Sequence, residues 1–150
     1  MEIQIESELE KVSLPENNAK IKNSTKGYDT YLDYLKNVND FKFDKFDLIV
    51  DAANGSAFKI IEDLLSVKNA QFNLISNTPD GKNINDNCGA TFPENLQKNI
   101  SNGQVGISFD GDADRLIMVD ENQQVVNGDL LLTILSKYCL LYTSPSPRDM

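Results

Sequence analysis

Residues 46–76, FDLIVDAANGSAFKIIEDLLSVKNAQFNLIS, decide the fold. Phe46-Asp47-Leu48-Ile49-Val50 is a short apolar run that breaks at Asp51-Ala52-Ala53-Asn54-Gly55, so it reads as a buried strand running into a turn. From Ser56 to Val67 the apolar residues Phe58, Ile60, Ile61, Leu64 and Leu65 recur at helical spacing. Gln71 to Ser76 then alternates, with Phe72 and Leu74 on one side and Ile75 on the other. Strand, helix and strand within ~30 residues make a βαβ unit with parallel strands and a right-handed crossover.

Outward from this unit the pattern continues in both directions. Upstream, Tyr28, Tyr31, Leu32, Leu35 and Val38 share one helical face, which is expected to meet the core. The first 26 residues are polar, with Pro15-Glu16-Asn17-Asn18 as a turn or linker and Glu2 to Glu10 as a solvated acidic face. Downstream, Asn77 to Thr91 is a loop rich in Asn, Asp and Gly, in which Thr78-Pro79-Asp80-Gly81 reads as a β-turn. Pro93 suits the first turn of a helix that carries Leu96 and Ile100 and closes at Asn102-Gly103. Val105–Phe109 and Leu116–Val119 are the third and fourth strands, and Asn127 or Asp129 caps a last helix through Leu130, Leu131, Ile134, Leu135 and Tyr138. The fold class expected is α/β: a mixed, mostly parallel sheet of about four strands flanked by helices, its last strand free to run antiparallel after a tight acidic loop. Ser144-Pro145-Ser146-Pro147 cannot continue a helix, and residues 141–150 are expected to be a non-native tail.

Composition narrows the function. The 150 residues suit one domain. Fourteen Lys and Arg against 23 Asp and Glu give a net charge of −9, which argues against nucleic-acid binding and makes a cation a natural partner. The chain has no His, so it cannot by itself run a Ser-His-Asp mechanism or an HExxH metal site. Cys88 and Cys139 form no CxxC pair or disulfide framework, and a reduced, cytoplasmic setting is expected. Cys88, in a polar loop with no neighbouring base in sequence, reads as structural or incidental. The apolar stretch from Leu130 to Leu141 is broken by Thr133, Ser136 and Lys137 and falls short of the ~20 residues that span a bilayer, so no membrane partner is expected.

Chemistry concentrates in Phe109-Asp110-Gly111-Asp112-Ala113-Asp114-Arg115. Two unit charges ~4 Å apart repel by ~1 kcal/mol in water and ~4 kcal/mol at an effective dielectric of 20. Three carboxylates at i, i+2 and i+4 between two strands are therefore costly unless a cation shares them. A solvated acidic turn is the plain alternative, and it would suffice for a lone D-x-D. Carboxylate oxygens suit Mg²⁺ or Ca²⁺, and the small Gly111 and Ala113 leave room for the loop to close around an ion. Asp110, Asp112, Asp114 and Glu121 also fall at positions 1, 3, 5 and 12 of an EF-hand, but Arg115 stands where that motif needs Gly and the flanks read as strands. Twelve of the fourteen basic residues are Lys, and Arg115 is the one Arg outside the final ten residues. A guanidinium can chelate a phosphate with two parallel hydrogen bonds, although it can also merely balance nearby charge. Asn54-Gly55 before a helix could meet an anion, but a tight turn is the simpler reading.

At these residues a resemblance emerges. FDGDADR, followed by Val119-Asp120 and Gly128-Asp129, resembles the metal-binding loop of the α-D-phosphohexomutase superfamily, and Val50 to Gly55 resembles the strand–turn–helix opening of the same domain. Gly81-Lys82-Asn83-Ile84-Asn85 with Cys88-Gly89-Ala90-Thr91 resembles the bacterial phosphoglucosamine mutase branch. The resemblance spans residues 20 to 140 and implies the second of four domains, with 27–140 as that metal-binding domain and 1–26 as a remnant of the first domain and its linker. It implies that Asp110, Asp112 and Asp114 bind Mg²⁺, completed by a phosphoserine oxygen from the first domain, and that Arg115 helps hold phosphate. The implied partners are a hexosamine phosphate substrate and a sugar bisphosphate intermediate, in the interconversion of glucosamine 6-phosphate and glucosamine 1-phosphate. The family's S-H-N-P phosphoserine loop and G-E-x-S-G-H sugar loop both contain His, and its R-x-S-G-T phosphate loop is also missing from this sequence. The chain is therefore expected to hold a metal site without a catalytic nucleophile and to be inert alone. Phosphomannomutase or phosphoglucomutase of the same superfamily, and a non-catalytic divalent-cation module, are the alternatives.

Overall fold

Asp47–Asp51 (β1) is buried along nearly its whole length on both faces, which only a central strand between two layers achieves. The computed structural model describes residues 24–38, 42–101 and 103–139. Around β1 lie α1 (Lys26–Asn37), α2 (Phe58–Val67), β2 (Gln71–Ile75), α3 (Pro93–Asn99), β3 (Val105–Phe109), β4 (Leu116–Val119), β5 (Val125–Val126) and α4 (Gly128–Cys139). The sheet runs β2-β1-β3-β4-β5. The pairs β1–β2 and β1–β3 are parallel, whereas β3–β4 and β4–β5 are antiparallel.

The expected sheet of about four strands is present, with a short fifth strand at its edge, because Val125–Val126 pairs with Met118 and Val119. Two residues are too short to carry a periodic signal. The sheet is also evenly mixed rather than mostly parallel, since the acidic loop turns β4 back along β3 and a tight turn at Asp120–Gln124 turns β5 back again.

Alternation along β1 splits the core in two. Leu48 and Val50 pack with Leu65 of α2 and with Ile61, Phe72, Leu74, Val105, Ile107 and Phe109. Ile49 points the other way, to Leu96, Ile100, Val119 and Ile75 beside α3. Helices on opposite faces make an α/β/α layering, and the two sides of β2 divide as its alternation predicts. The α3 helix begins at Pro93 as expected but ends at Asn99, with Ile100 leaving in extended conformation. Asn127 caps α4 by accepting the Leu130 N–H at 3.0 Å.

The stripe on α1 does not reach the core. None of its residues is buried, and Tyr31 and Val38 are more than half exposed. The cause is position: α2 already covers this face of the sheet, and α1 lies on α2 instead. Its anchors are polar as well as apolar. The Tyr28 hydroxyl donates to Asp63, Lys59 sits 5.1 Å over the Tyr28 ring, and Lys68 donates to the Lys36 carbonyl at 2.8 Å. Most of α4 is likewise exposed, and Leu131 and Ile134 line a groove with Val105, Met118 and Val126. No described helix is long and apolar enough to cross a membrane. The sequence readings at Glu2–Glu10, Pro15–Asn18, Asn102 and 141–150 fall outside the described residues.

Candidate metal centre

The β1–α2 turn and the acidic loop leave neighbouring parallel strands at the same end. Asp51 pairs with Ser108, so β1 and β3 finish level, one feeding residues 52–57 and the other 110–115. After β1 the chain builds β2 on one flank, then crosses to place β3 on the other. The crevice at such a reversal of strand order, outside the carboxyl ends, is where open α/β sheets bind ligands.

The three acids predicted from sequence do converge there. Asp110, Asp112 and Asp114 can each offer an oxygen within 4.8 Å of the others. Mg²⁺ or Ca²⁺ binds oxygens at ~2.0–2.6 Å, so a coordination sphere is ~4–5 Å across. The donor set fits a hard divalent cation. Asp110 is buried, whereas Asp112 and Asp114 open to solvent. The loop folds on itself through the Ala113 N–H to the Asp110 carbonyl at 3.1 Å, with Ala113 at φ 62°. The EF-hand alternative fails: strands β3 and β4 flank the loop, and Glu121 lies past the far end of β4, in the turn to β5.

Arg115 is tied to the acids from the side. Its backbone N–H reaches Asp110 Oδ1 at 3.1 Å, and its Nε reaches Oδ2 at 2.7 Å, with Asp114 3.7 Å away. The side chain stays 64% exposed. Among the described residues its hydrogen bonds to Asp110 use the backbone N–H and Nε. Burial works to raise the Asp110 pKa, but the Arg115 N–H, then its guanidinium bond and charge, outweigh this and hold it below the usual carboxylate value. Asp114 shifts the opposite way, pushed up by the charges of Asp112 and then Asp110. Hydrogen bonding and charge from Asp110 raise the Arg115 pKa further. The cluster thus holds one acid below and another above the ordinary carboxylate value. Beside Asp112 and Ala113 a cavity of ≈ 300 Å³ opens, lined by Tyr28, Tyr31, Ser56, Ala57 and Ile60.

The residues that hold the loop in place escaped sequence reasoning. Gly55 is one: a Cβ there would come 2.4 Å from the Gly111 carbonyl oxygen, while the Ser56 N–H donates to that oxygen at 2.9 Å. Asn54-Gly55 therefore serves a close backbone approach, and Asn54 spends its side chain on Thr78 and Asn83. Gly89, at φ +75°, is another, because a Cβ would lie 2.5 Å from that of Ala53 and 2.7 Å from the Phe109 carbonyl. Asp51 is fully buried and accepts from the Ala53 N–H, the Gly89 N–H and Asn95 Nδ2 at 2.9–3.0 Å, joining three segments. The run Ala52 to Gly55 was the available signal, but what it approaches is distant in sequence: Gly89 lies 36 residues from Ala53, and Gly111 lies 56 from Gly55. Cys88 is buried, and burial raises its thiol pKa, in keeping with a structural role. Asp80 organises its loop by accepting the Lys82 and Asn83 N–H groups, which lower its pKa.

Fold and loop together define an α/β/α domain with three carboxylates gathered at its switch point. The sequence model of the phosphoglucomutase/phosphomannomutase α/β/α domain II matches residues 29–124, and the chain belongs to this family. Among curated relatives, the phosphoglucosamine mutase of Alkaliphilus oremlandii is 47% identical over 112 residues, covering 73% of this chain and 25% of that protein. That of Moorella thermoacetica is 36% identical over 146 residues, 89% of this chain and 33% of the relative. The chain thus spans between a quarter and a third of the length of these two. Among solved structures, an N-acetylglucosamine-phosphate mutase of the α-D-phosphohexomutase superfamily superposes with a TM-score of 0.59 at 29% identity, over 86% of this chain and 27% of that one. A phosphoglucomutase/phosphomannomutase family protein from Burkholderia thailandensis gives 0.57 at 29% identity, over 73% and 26%.

Proposed function

We propose that this chain is the metal-binding domain of a phosphoglucosamine mutase, in which Asp110, Asp112 and Asp114 hold Mg²⁺ and Arg115 holds a substrate phosphate. The carrying observation is the convergence of three carboxylates within 4.8 Å at the switch point, with Arg115 anchored on Asp110. Asp110, kept ionised by Arg115, supplies the permanent charge, and Asp112 and Asp114 approach from the solvent side. The exposed guanidinium and the cavity beside Asp112 leave room for a phosphate next to the ion. When bound, the cation would neutralise phosphate oxygens during phosphoryl transfer, where positioning and charge dominate catalysis.

The whole enzyme would interconvert glucosamine 6-phosphate and glucosamine 1-phosphate through a sugar bisphosphate, in the cytoplasm. The names of the curated relatives favour this branch over phosphomannomutase or phosphoglucomutase. Residues 27–140 are read as the metal domain and 1–26 as the end of a preceding one. Since the chain has no His, it holds neither His-containing loop and is inert by itself. Calorimetric titration with Mg²⁺ tests the site: wild type should give saturable heat that Asp112→Asn loses, and equal heats from the two would refute it. A coupled assay in which the pure chain turned over glucosamine 1-phosphate would refute the division of labour.

A further inference from the structure

The loop between β2 and α3 contributes no ligand to the cation site, yet it is built against it. Ile84 is an apolar residue left 51% exposed in a loop of Asn, Asp and Gly. A Cβ on Gly111 would lie 2.6 Å from Ile84 Cδ1 and 3.0 Å from Asn85 Nδ2. On its other flank Gly111 meets Gly55, at the distances already given. The backbone between Asp110 and Asp112 is therefore pressed from two sides by two different loops.

Those loops are fastened to each other. The Asn85 N–H donates to the Ala53 carbonyl at 2.9 Å, Asn54 Nδ2 to the Asn83 carbonyl at 3.3 Å, and the Thr78 N–H to Asn54 Oδ1 at 3.1 Å. Farther along, the Gly89 N–H is held by Asp51, and the Ala90 N–H by the Phe109 carbonyl at 2.8 Å. Gly111 has no side chain with which to anchor itself, and the acids on either side of it repel.

We infer that Ile84 is a positioning residue for the metal loop: with Gly55 it clamps Gly111, and so fixes the spacing of Asp110 and Asp112. The clamp deepens the reading of the three acids as a cation site and rests on it. Ile84 carries no charge and donates nothing to the ion, so its effect travels only through where the Gly111 backbone sits. Outer contacts that orient metal ligands are worth ~10–100-fold in metal affinity.

The test uses two readouts on the intact chain: Mg²⁺ titration by calorimetry, and metal-free amide exchange at Ala113 and Arg115, whose N–H groups bond to Asp110. Ile84→Ala should weaken Mg²⁺ binding ~10-fold and speed exchange at both amides. Ile84→Leu should restore both. Val67→Ala, an equally exposed truncation at the end of α2, should change neither. Unchanged affinity and exchange in Ile84→Ala, or equal changes in Val67→Ala, would overturn the clamp. Absence of saturable Mg²⁺ heat from wild type would overturn the cation reading instead, while the exchange comparison still decides whether Ile84 restrains the loop.

Discussion

Asp51 and Ser108 stand side by side at the ends of paired strands, both fully buried, and substitution should move stability in opposite directions. Asp51 uses both oxygens on three donors. Asp51→Asn replaces one acceptor by a donor facing N–H groups, and each buried group left unpaired costs ~1–3 kcal/mol. The urea midpoint should fall accordingly. Ser108 Oγ has no hydrogen-bond partner among the described residues. Ser108→Ala removes an unsatisfied hydroxyl, so the same measurement should show an unchanged or higher midpoint. A clear loss of stability in Ser108→Ala would mean that the hydroxyl is satisfied after all.

At the scale of elements, the α1–α2 contact has a readable pH signature. Burial, then the hydrogen bond and charge of Asp63, push the Tyr28 pKa up from 10.0 to about 12. The fold thus favours the protonated phenol, so its contribution is complete below pH 10 and is lost as pH rises from 10 towards 12. Among the chain's five tyrosines, Tyr28 should ionise late in an absorbance titration, and Tyr28→Phe should remove that late step. Strands and helices with clear periodicity were legible beforehand: Val105–Phe109 and Leu116–Val119 match to the residue. The edge strand was not, because Val125–Val126 offers no alternation to read. Nor was the exposure of α1, since a stripe records an apolar face without saying what covers it. The acids were found because their charges are adjacent in sequence. Gly55, Ile84 and Asp51 were not, because each acts on a distant segment.

Across the whole molecule, a ligand that binds only the folded chain stabilises it by mass action. At 100 times its dissociation constant Mg²⁺ should add ~2.7 kcal/mol, or ~5–10 °C in Tm for a chain of this size, and Asp112→Asn should abolish the rise. Acidification should erode the effect. Protons compete for Asp114, whose pKa the charges of Asp112 and then Asp110 raise, so the Mg²⁺ increment shrinks as pH falls. Calorimetric scans at several pH values, with and without Mg²⁺, check both statements. The level finish of β1 and β3 carries one more implication. Side chains alternate along a strand, so inserting a single residue between Gly106 and Phe109 would rotate everything after it to the opposite side of the sheet. Spacer length in β3 is then as tightly constrained as the identity of the acids: a one-residue indel should silence the site as completely as deleting a ligand, while an indel in the Asp120–Gln124 turn should leave it intact.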